Sequence, residues 1–434
     1  MIAYRRRSVA ERLERWSTEV DVAQVLGESY SYQVLDVESG AVLAGRSAST
    51  PRMGASCMKI LTAVNALRTF PADHRFRSEV VLGPGSEVVL GPGSEVGTAS
   101  DAARDEEVMV TLRLRGGGDP TLDPSTMAAL ARNTVERLGD RRRARIVVDE
   151  GLFPTATAAP GWRPEFMPIE VQPVVPLILR EYFGFQPGEA VGVAFAAALA
   201  ARGVDASFVG LRRRPEVAGN EAGKEGLDEG VAEVGPGPRS LGYAESATVA
   251  ALVTHMLQSS HNPTAEVLHR MVAIDRGHAP TWDGAGSAAL GVLDELGLST
   301  AGVVSADGSG LSRDSRVRAD LLTEVLALVC ERDRHPELAT IFPGGGLPLA
   351  GVTGSLSAAN DWFSSPLTDQ VRGRLWAKSG SLSGVAALAG IAMPAPSRHR
   401  TFAILVNELE GDFPHLLVRR QLERFATIVL GIGR

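Results

Sequence analysis

Apolar residues along this chain recur at every second position in some stretches and three and four apart in others, and these two periods predict most of its elements. After an amphipathic N-terminal segment, Ser31–Arg46 alternates around Glu38-Ser39-Gly40, the mark of a β-hairpin. A helix is expected from near Ser56. Its Met58, Ile60, Leu61, Ala63, Val64, Ala66 and Leu67 leave almost no polar face, so it should be buried on several sides. From Leu241 the helical period dominates, through AALVTHMLQ and PTAEVLHRMVA, to about Glu331. Three strand-like runs follow, RLWAKSG, VAALAGIAM and TFAILVNEL, and FPHLLVRRQLERFATIVL closes the chain as an amphipathic helix.

A hairpin, central helices, late strands and a closing helix predict an α+β fold: an antiparallel sheet flanked by helices, with the first and last parts of the chain in one domain. The stretch from about residue 70 to 240 has another character. VLGPGSEV at Val81–Val88 repeats at Val89–Val96, and its Gly-Pro-Gly-Ser units should form surface turns; two copies are too few for a solenoid. Arg214–Arg239 is rich in Gly, Glu and Pro, as an exposed connector would be. The expected organisation is a discontinuous domain of residues 1–70 and 241–434, with an α/β region, residues 71–240, inserted between.

Composition narrows the partners. A net charge of -7 over 434 residues disfavours nucleic acid, which needs a concentrated basic surface, and leaves a small molecule or peptide as substrate. The most apolar run, Val191–Ala201, is shorter than the roughly 20 residues a spanning helix needs, so no transmembrane segment is expected and the product should be soluble. MIAYRRRSVAERLERW has the basic start of a signal peptide without the apolar stretch that follows in one, so no export signal is visible. Cys57 and Cys330 match no metal-ligand spacing and read as small buried hydrophobes. His261, Glu266 and His269 do not follow the H-E-x-x-H zinc pattern, and neither a metal nor a cofactor is expected.

The chain holds only three lysines, Lys59, Lys224 and Lys378, against 41 arginines. Under such a bias lysine persists where arginine cannot replace it, at a site needing a compact amine able to lose its proton. Lys224 lies in a polar, glycine-rich stretch. Lys59 follows Ser56 by three positions, which on a helix puts both on one face. A buried, neutral Lys59 amine could accept the Ser56 proton, and the helix N-terminus offers N–H groups to an oxyanion formed there. The simpler alternative is that Ser56 caps the helix while Lys59 snorkels. Ser260-His261-Asn262 lies between two helical patterns, where Asn262 and Pro263 also read as an N-cap and first turn. Lys378-Ser379-Gly380, followed by Ser381, lies near the end of a strand pattern. A strand edge there could bind an extended peptide, with Lys378 and the Ser379 hydroxyl on a carboxylate and Gly380 admitting the substrate; the alternative is a surface lysine beside a turn.

S-x-x-K, S-x-N and K-[ST]-G in this order resemble the motifs of penicillin-binding proteins and class A β-lactamases. GGGDPTL at Gly116–Leu122, ADGSGLSRDSRV at Ala306–Val317 and AKSGSLSGVAALAG at Ala377–Gly390 extend the similarity to one family. The chain resembles the insert-bearing D-Ala-D-Ala carboxypeptidase/endopeptidase family of low-molecular-mass penicillin-binding proteins. That resemblance implies Ser56 as nucleophile, Lys59 as general base, and Ser260, Asn262 and Lys378 in proton transfer and positioning. It implies Ser379, Gly380 and Ser381 as substrate-binding residues, with the N–H groups of Ser56 and Ser381 as oxyanion hole. Peptidoglycan stem peptides would be substrates and β-lactams inhibitors. The location implied is the cell envelope, on the outer face of the membrane or secreted, with the cytoplasm as alternative because no export signal is seen. His261 stands where the family often has aspartate, Ser379 where threonine is common, and the insert looks trimmed around Pro173–Gly203. Two other readings remain: a cytoplasmic acyltransferase or D-amino-acid peptidase of the same fold, and a catalytically silent binding module. A β-lactamase would need a further positioned base, and none is identified.

Overall fold

The computed structural model describes residues 8–83, 109–214, 240–342, 344–409 and 415–432. The duplicated Gly-Pro-Gly-Ser units, the expected connector after Arg214 and Lys224 lie outside them. Helices α1 (Val9–Ser17) and α2 (Val20–Leu26) lead into β1 (Tyr30–Asp36) and β2 (Val42–Arg46), the hairpin that the alternation predicts. A 3-10 turn, Ala55–Cys57, enters α3 (Met58–Thr69). The middle of the chain forms β3 (Arg75–Leu82), β4 (Met109–Arg115), β5 (Asp119–Leu122), α4 (Pro124–Leu138), β6 (Arg143–Pro154), β7 (Leu177–Leu179), α5 (Pro187–Ala200), β8 (Asp205–Arg214) and β9 (Ser240–Thr248). Four helices follow, α6 (Val249–Ser259), α7 (Asn262–Asp275), α8 (Trp282–Glu295) and α9 (Ala319–Cys330), then β10 (Leu375–Leu382), β11 (Val385–Ala395), β12 (Arg398–Val406) and α10 (His415–Val429).

Two five-stranded sheets organise these elements. The first, in the order β10-β11-β12-β1-β2, is antiparallel throughout and joins the two ends of the chain, as β1 pairs with β12 from Tyr30↔Val406 to Asp36↔Arg400. The second, β8-β6-β4-β3-β9, is parallel across β8, β6 and β4 and antiparallel from there to β9. The Val191–Ala201 run is α5, which packs Val191, Phe195 and Leu199 onto this second sheet. Among the described residues no helix is long and apolar enough to cross a membrane.

Side-chain alternation gives the first sheet two different faces. Leu388, Phe402 and Ile404 meet Trp16, Phe425 and the other apolar residues of α1 and α10. The opposite face carries Ala387, Ala389 and Ala403, whose small side chains let the core around α3 approach closely. Helix α3 is buried from Met58 to Leu67, enclosed by α6, α7, α8 and α9. Its N-terminal end therefore emerges beside β10, an edge strand, and that meeting point positions the site.

Candidate active site

Ser56 lies in the 3-10 turn ahead of α3, not in the α-helix itself, and neither it nor Cys57 makes a side-chain cap; the capping alternative for Ser56 is not what forms. Ala55 holds a left-handed backbone (φ 42°), which turns the chain sharply before the nucleophile position. Lys59 is wholly buried, so it does not snorkel. Its Nζ lies 2.8 Å from Ser56 Oγ, 2.6 Å from Asn262 Oδ1 and 2.9 Å from the Ser309 carbonyl. Two of those partners are pure acceptors. The Asn262 amide orientation is fixed independently, because Nδ2 donates to the Glu170 carbonyl at 2.8 Å. A neutral amine has two N–H donors and one lone pair. With both donors spent on Asn262 and Ser309, the lone pair faces the Ser56 hydroxyl.

Electrostatics bring that state within reach near neutral pH. Burial, and next the nearby Lys378 ammonium, lower the Lys59 pKa to about 7, against the pull of Glu266 and Asp307. Lys378 is also fully buried, which lowers its pKa to about 8. Its Nζ donates to the Ser379 carbonyl at 2.9 Å, so it is not the surface lysine of the simpler alternative. Cys57, next to Ser56, is a buried thiol pushed up to about 12 by burial, with Sγ 3.2 Å from the Lys378 carbonyl. It is inert packing, as the sequence suggests. Cys330 is only partly buried.

Ser260 closes the other side. It is the left-handed C-cap of α6 (φ 59°), and its Oγ stands 3.1 Å from Ser56 Oγ. The cap of α7 falls one residue earlier than the sequence suggests. His261 is the N-cap, its Nδ1 accepting from the Thr264 N–H, and Asn262 is the first helical residue. With His261 taking the cap, the Asn262 side chain is free to reach Lys59. Burial, then His255, Lys59 and Arg180, lower the His261 pKa to about 4, so its ring is neutral.

Lys378-Ser379-Gly380 lies within β10 rather than at its end. The outer edge of this strand is occupied at Leu375 and Ala377, which exchange backbone hydrogen bonds with Ala350 and Pro348. Ladder groups alternate in direction, so those of Ser379 and Ser381 also point away from β11. Gly380 packs on the 3-10 turn: a Cβ there would come 2.7 Å from the Gly54 carbonyl oxygen and 3.0 Å from the Ser56 nitrogen. Glycine is required by close approach, bringing the strand edge and the Ser56 N–H to one place.

Two buried acidic residues complete the site without a site role predicted from sequence: Glu266 figures there only against a zinc pattern, and Asp307 only inside the ADGSGLSRDSRV segment. Glu266 follows Asn262 by one helical turn and accepts from the Gly308 and Ser309 N–H groups at 2.8 and 2.9 Å, so it aims the Ser309 carbonyl at Lys59. Burial, and then Asp307, push its pKa up to about 8. Asp307 ties the same loop together, accepting from the Ser312 N–H (2.7 Å), Ser315 Oγ (2.8 Å) and Trp162 Nε1 (3.0 Å). The i, i+4 spacing of Asn262 and Glu266 was the available signal. Among the described residues no cluster of His, Cys, Asp and Glu could hold a metal ion.

A buried lysine amine 2.8 Å from a serine hydroxyl beside a strand edge, carried by an antiparallel sheet between helices, is the arrangement of the serine acyl-transfer enzymes of the penicillin-binding class. The solved structure of penicillin binding protein 4 from Haemophilus influenzae shares the fold, with a TM-score of 0.70 at 18% identity over 94% of this chain and 97% of that one. Residues 18–179 and 229–429 match the D-Ala-D-Ala carboxypeptidase 3 (S13) family, and the chain belongs to it. Among relatives, it is 30% identical to carboxypeptidase DacB of Mycolicibacterium smegmatis, over 93% of this chain and 80% of that one. It is 27% identical to a D-alanyl-D-alanine carboxypeptidase of Actinomadura sp., over 88% and 78%.

Proposed function

We propose that the chain is a serine-type D-Ala-D-Ala carboxypeptidase that works through an acyl-enzyme on Ser56. The observation carrying this reading is the contact set of Lys59 Nζ, two acceptors and one hydroxyl. Lys59 takes the Ser56 proton as Oγ attacks the carbonyl of the penultimate D-alanine. The N–H groups of Ser56 and Ser381 receive the oxyanion. Ser260 Oγ, within reach of Ser56 Oγ, passes the proton to the departing amine; the C–N bond breaks and D-alanine leaves with its carboxylate on the Ser379 hydroxyl. Asn262 keeps Lys59 oriented, and Lys378 contributes positive potential and lowers the Lys59 pKa. Water then attacks the ester along the same proton route.

The substrates are peptidoglycan stem peptides, which places the enzyme's work in the cell envelope, on the outer side of the membrane. β-Lactams, acyl-D-Ala-D-Ala mimics, acylate the same serine; a second structure of the Haemophilus protein is a complex with one. The expected boundary at residue 241 cuts through β9, a strand of the second sheet, so residues 1–70 with about 249–434 act as the catalytic unit, and the stretch between as an insert that contributes Glu170 to the cleft. Incubation with a fluorescent penicillin followed by peptide mapping tests the reading: a stable adduct on Ser56, with D-alanine released from a muropeptide pentapeptide, is expected. Labelling elsewhere, or none in the folded protein, would refute it.

A further inference from the structure

The cleft does not end at Ser379. An open cavity of about 850 Å³ continues from it, lined by Ser259, Ser355, Asp361, Trp362, Ser379 and Arg419 among others. Its walls adjoin the catalytic segments on both sides. Ser259 precedes Ser260, whose Oγ is 3.1 Å from Ser56 Oγ, and Ser379 lies on the outward-facing part of β10. The cavity thus begins at residues next to Ser260 and at Ser379, on the Ser379 side of the cleft.

Arg419 gives this cavity its chemistry. Its Nη1 donates to the Asn360 carbonyl at 2.9 Å, and its guanidinium sits 5.1 Å over the Trp362 ring, two contacts that hold it in place while leaving donors unspent. Glu423, one turn further along α10, accepts from the Phe363 N–H at 2.7 Å and shares its charge interaction between Arg419 and Arg420, with no hydrogen bond to the Arg419 guanidinium. Among the described residues lining the cavity Arg419 is the one cation, because Lys378 is buried against the Ser379 carbonyl, and Asp361 is the one anion, beside the Asn360 whose carbonyl holds Arg419. Ser355 Oγ, in the same wall, has no hydrogen-bond partner among the described residues.

We infer that this cavity is the leaving-group subsite, and that Arg419 reads a carboxylate on the side chain of the amino acid expelled when Ser56 is acylated. The inference rests on the acyl-enzyme reading. In the step concerned the Ser56 Oγ–carbonyl bond forms and the scissile C–N bond breaks. The Ser56 proton goes to the departing amine, which leaves through this cavity with its side-chain carboxylate paired to the guanidinium. A leaving D-amino acid with a long acidic side chain fills the cavity; D-alanine does not reach it.

The test compares N-acyl-D-Ala-D-Ala with the same peptide ending in D-2-aminoadipate, in the full chain. The wild type should favour the acidic leaving group. Arg419→Ala should lower its kcat/KM by about tenfold, the scale of one charge-assisted pair, while D-alanine release and penicillin acylation of Ser56 change less than about twofold. Arg419→Glu should instead favour a D-lysine leaving group, a gain that misfolding cannot mimic. Equal loss on both substrates, or an unchanged ratio, would overturn the subsite alone. Failure of the wild type to take penicillin or release D-alanine would bring down the acyl-enzyme reading and the subsite with it.

Discussion

The role proposed for Lys59 requires the free base, and its surroundings decide when that form exists. Burial sets its pKa near 7, so below that pH the ammonium has no lone pair for the Ser56 proton, and above it the amine does. Acylation by a fluorescent penicillin should rise with pH through about 7 and then level; a flat profile from pH 5.5 to 8.5 would contradict the assignment. Lys59→Arg keeps the charge but cannot deprotonate, and should lose about 10³-fold or more in acylation rate. Asn262→Asp is the subtler probe. It replaces the amide oxygen 2.6 Å from Nζ with a carboxylate, which stabilises the ammonium, so the rising limb should move to higher pH. A limb that moves down or stays put would mean that Asn262 does not face the amine in solution.

The meeting of β10 with the 3-10 turn is where element packing becomes chemistry. Gly380→Ala would bring a methyl group 2.7 Å from the Gly54 oxygen and 3.0 Å from the Ser56 nitrogen, so strand and turn must separate. The proposed oxyanion donors would part with them, and acylation should fall by about 10²-fold, the cost of one displaced donor, with little change in circular dichroism. Unaltered acylation would remove Ser381 from the proposed mechanism. Much at this scale was legible beforehand. The hairpin, α3, the late strands and α10 all follow from period and apolar runs, because each buries one or more faces locally. What the sequence misassigned was a cap: Asn262-Pro263 is a sound N-cap pair by propensity, yet His261 takes the position, and tertiary pairing of Asn262 with Lys59 and Glu170 outweighs the local preference.

At the scale of the molecule the site is a junction of the two cores, the first sheet and the segment around Glu170, and no local pattern announces such a junction. Three motifs pointed to it, but Glu266 and Asp307 did not, because a buried carboxylate in a helix or loop looks like any charged residue until its partners are known. Burying this many titratable groups also ties stability to pH. His269, behind Glu266, is fully buried, and burial lowers its pKa to about 4 despite Asp307 nearby. Between pH 6.5 and about 4 the unfolded chain therefore takes up a proton at this residue that the native protein refuses, so its contribution to stability falls as pH falls. Glu266, pushed the other way, works in the opposite sense over pH 4.5 to 8, which makes the total pH profile an unreliable witness. The difference between two chains is a better one. His269→Asn removes one titration and leaves Glu266, Lys59 and Lys378 in place, so the unfolding free energy of the wild type relative to the variant should drop by about 1.4 kcal/mol per pH unit on acidification through this window. Urea titrations at pH 7, 6 and 5 measure it. Parallel curves would mean that His269 is protonated in the folded protein, and that the core behind Lys59 is more hydrated than its packing indicates.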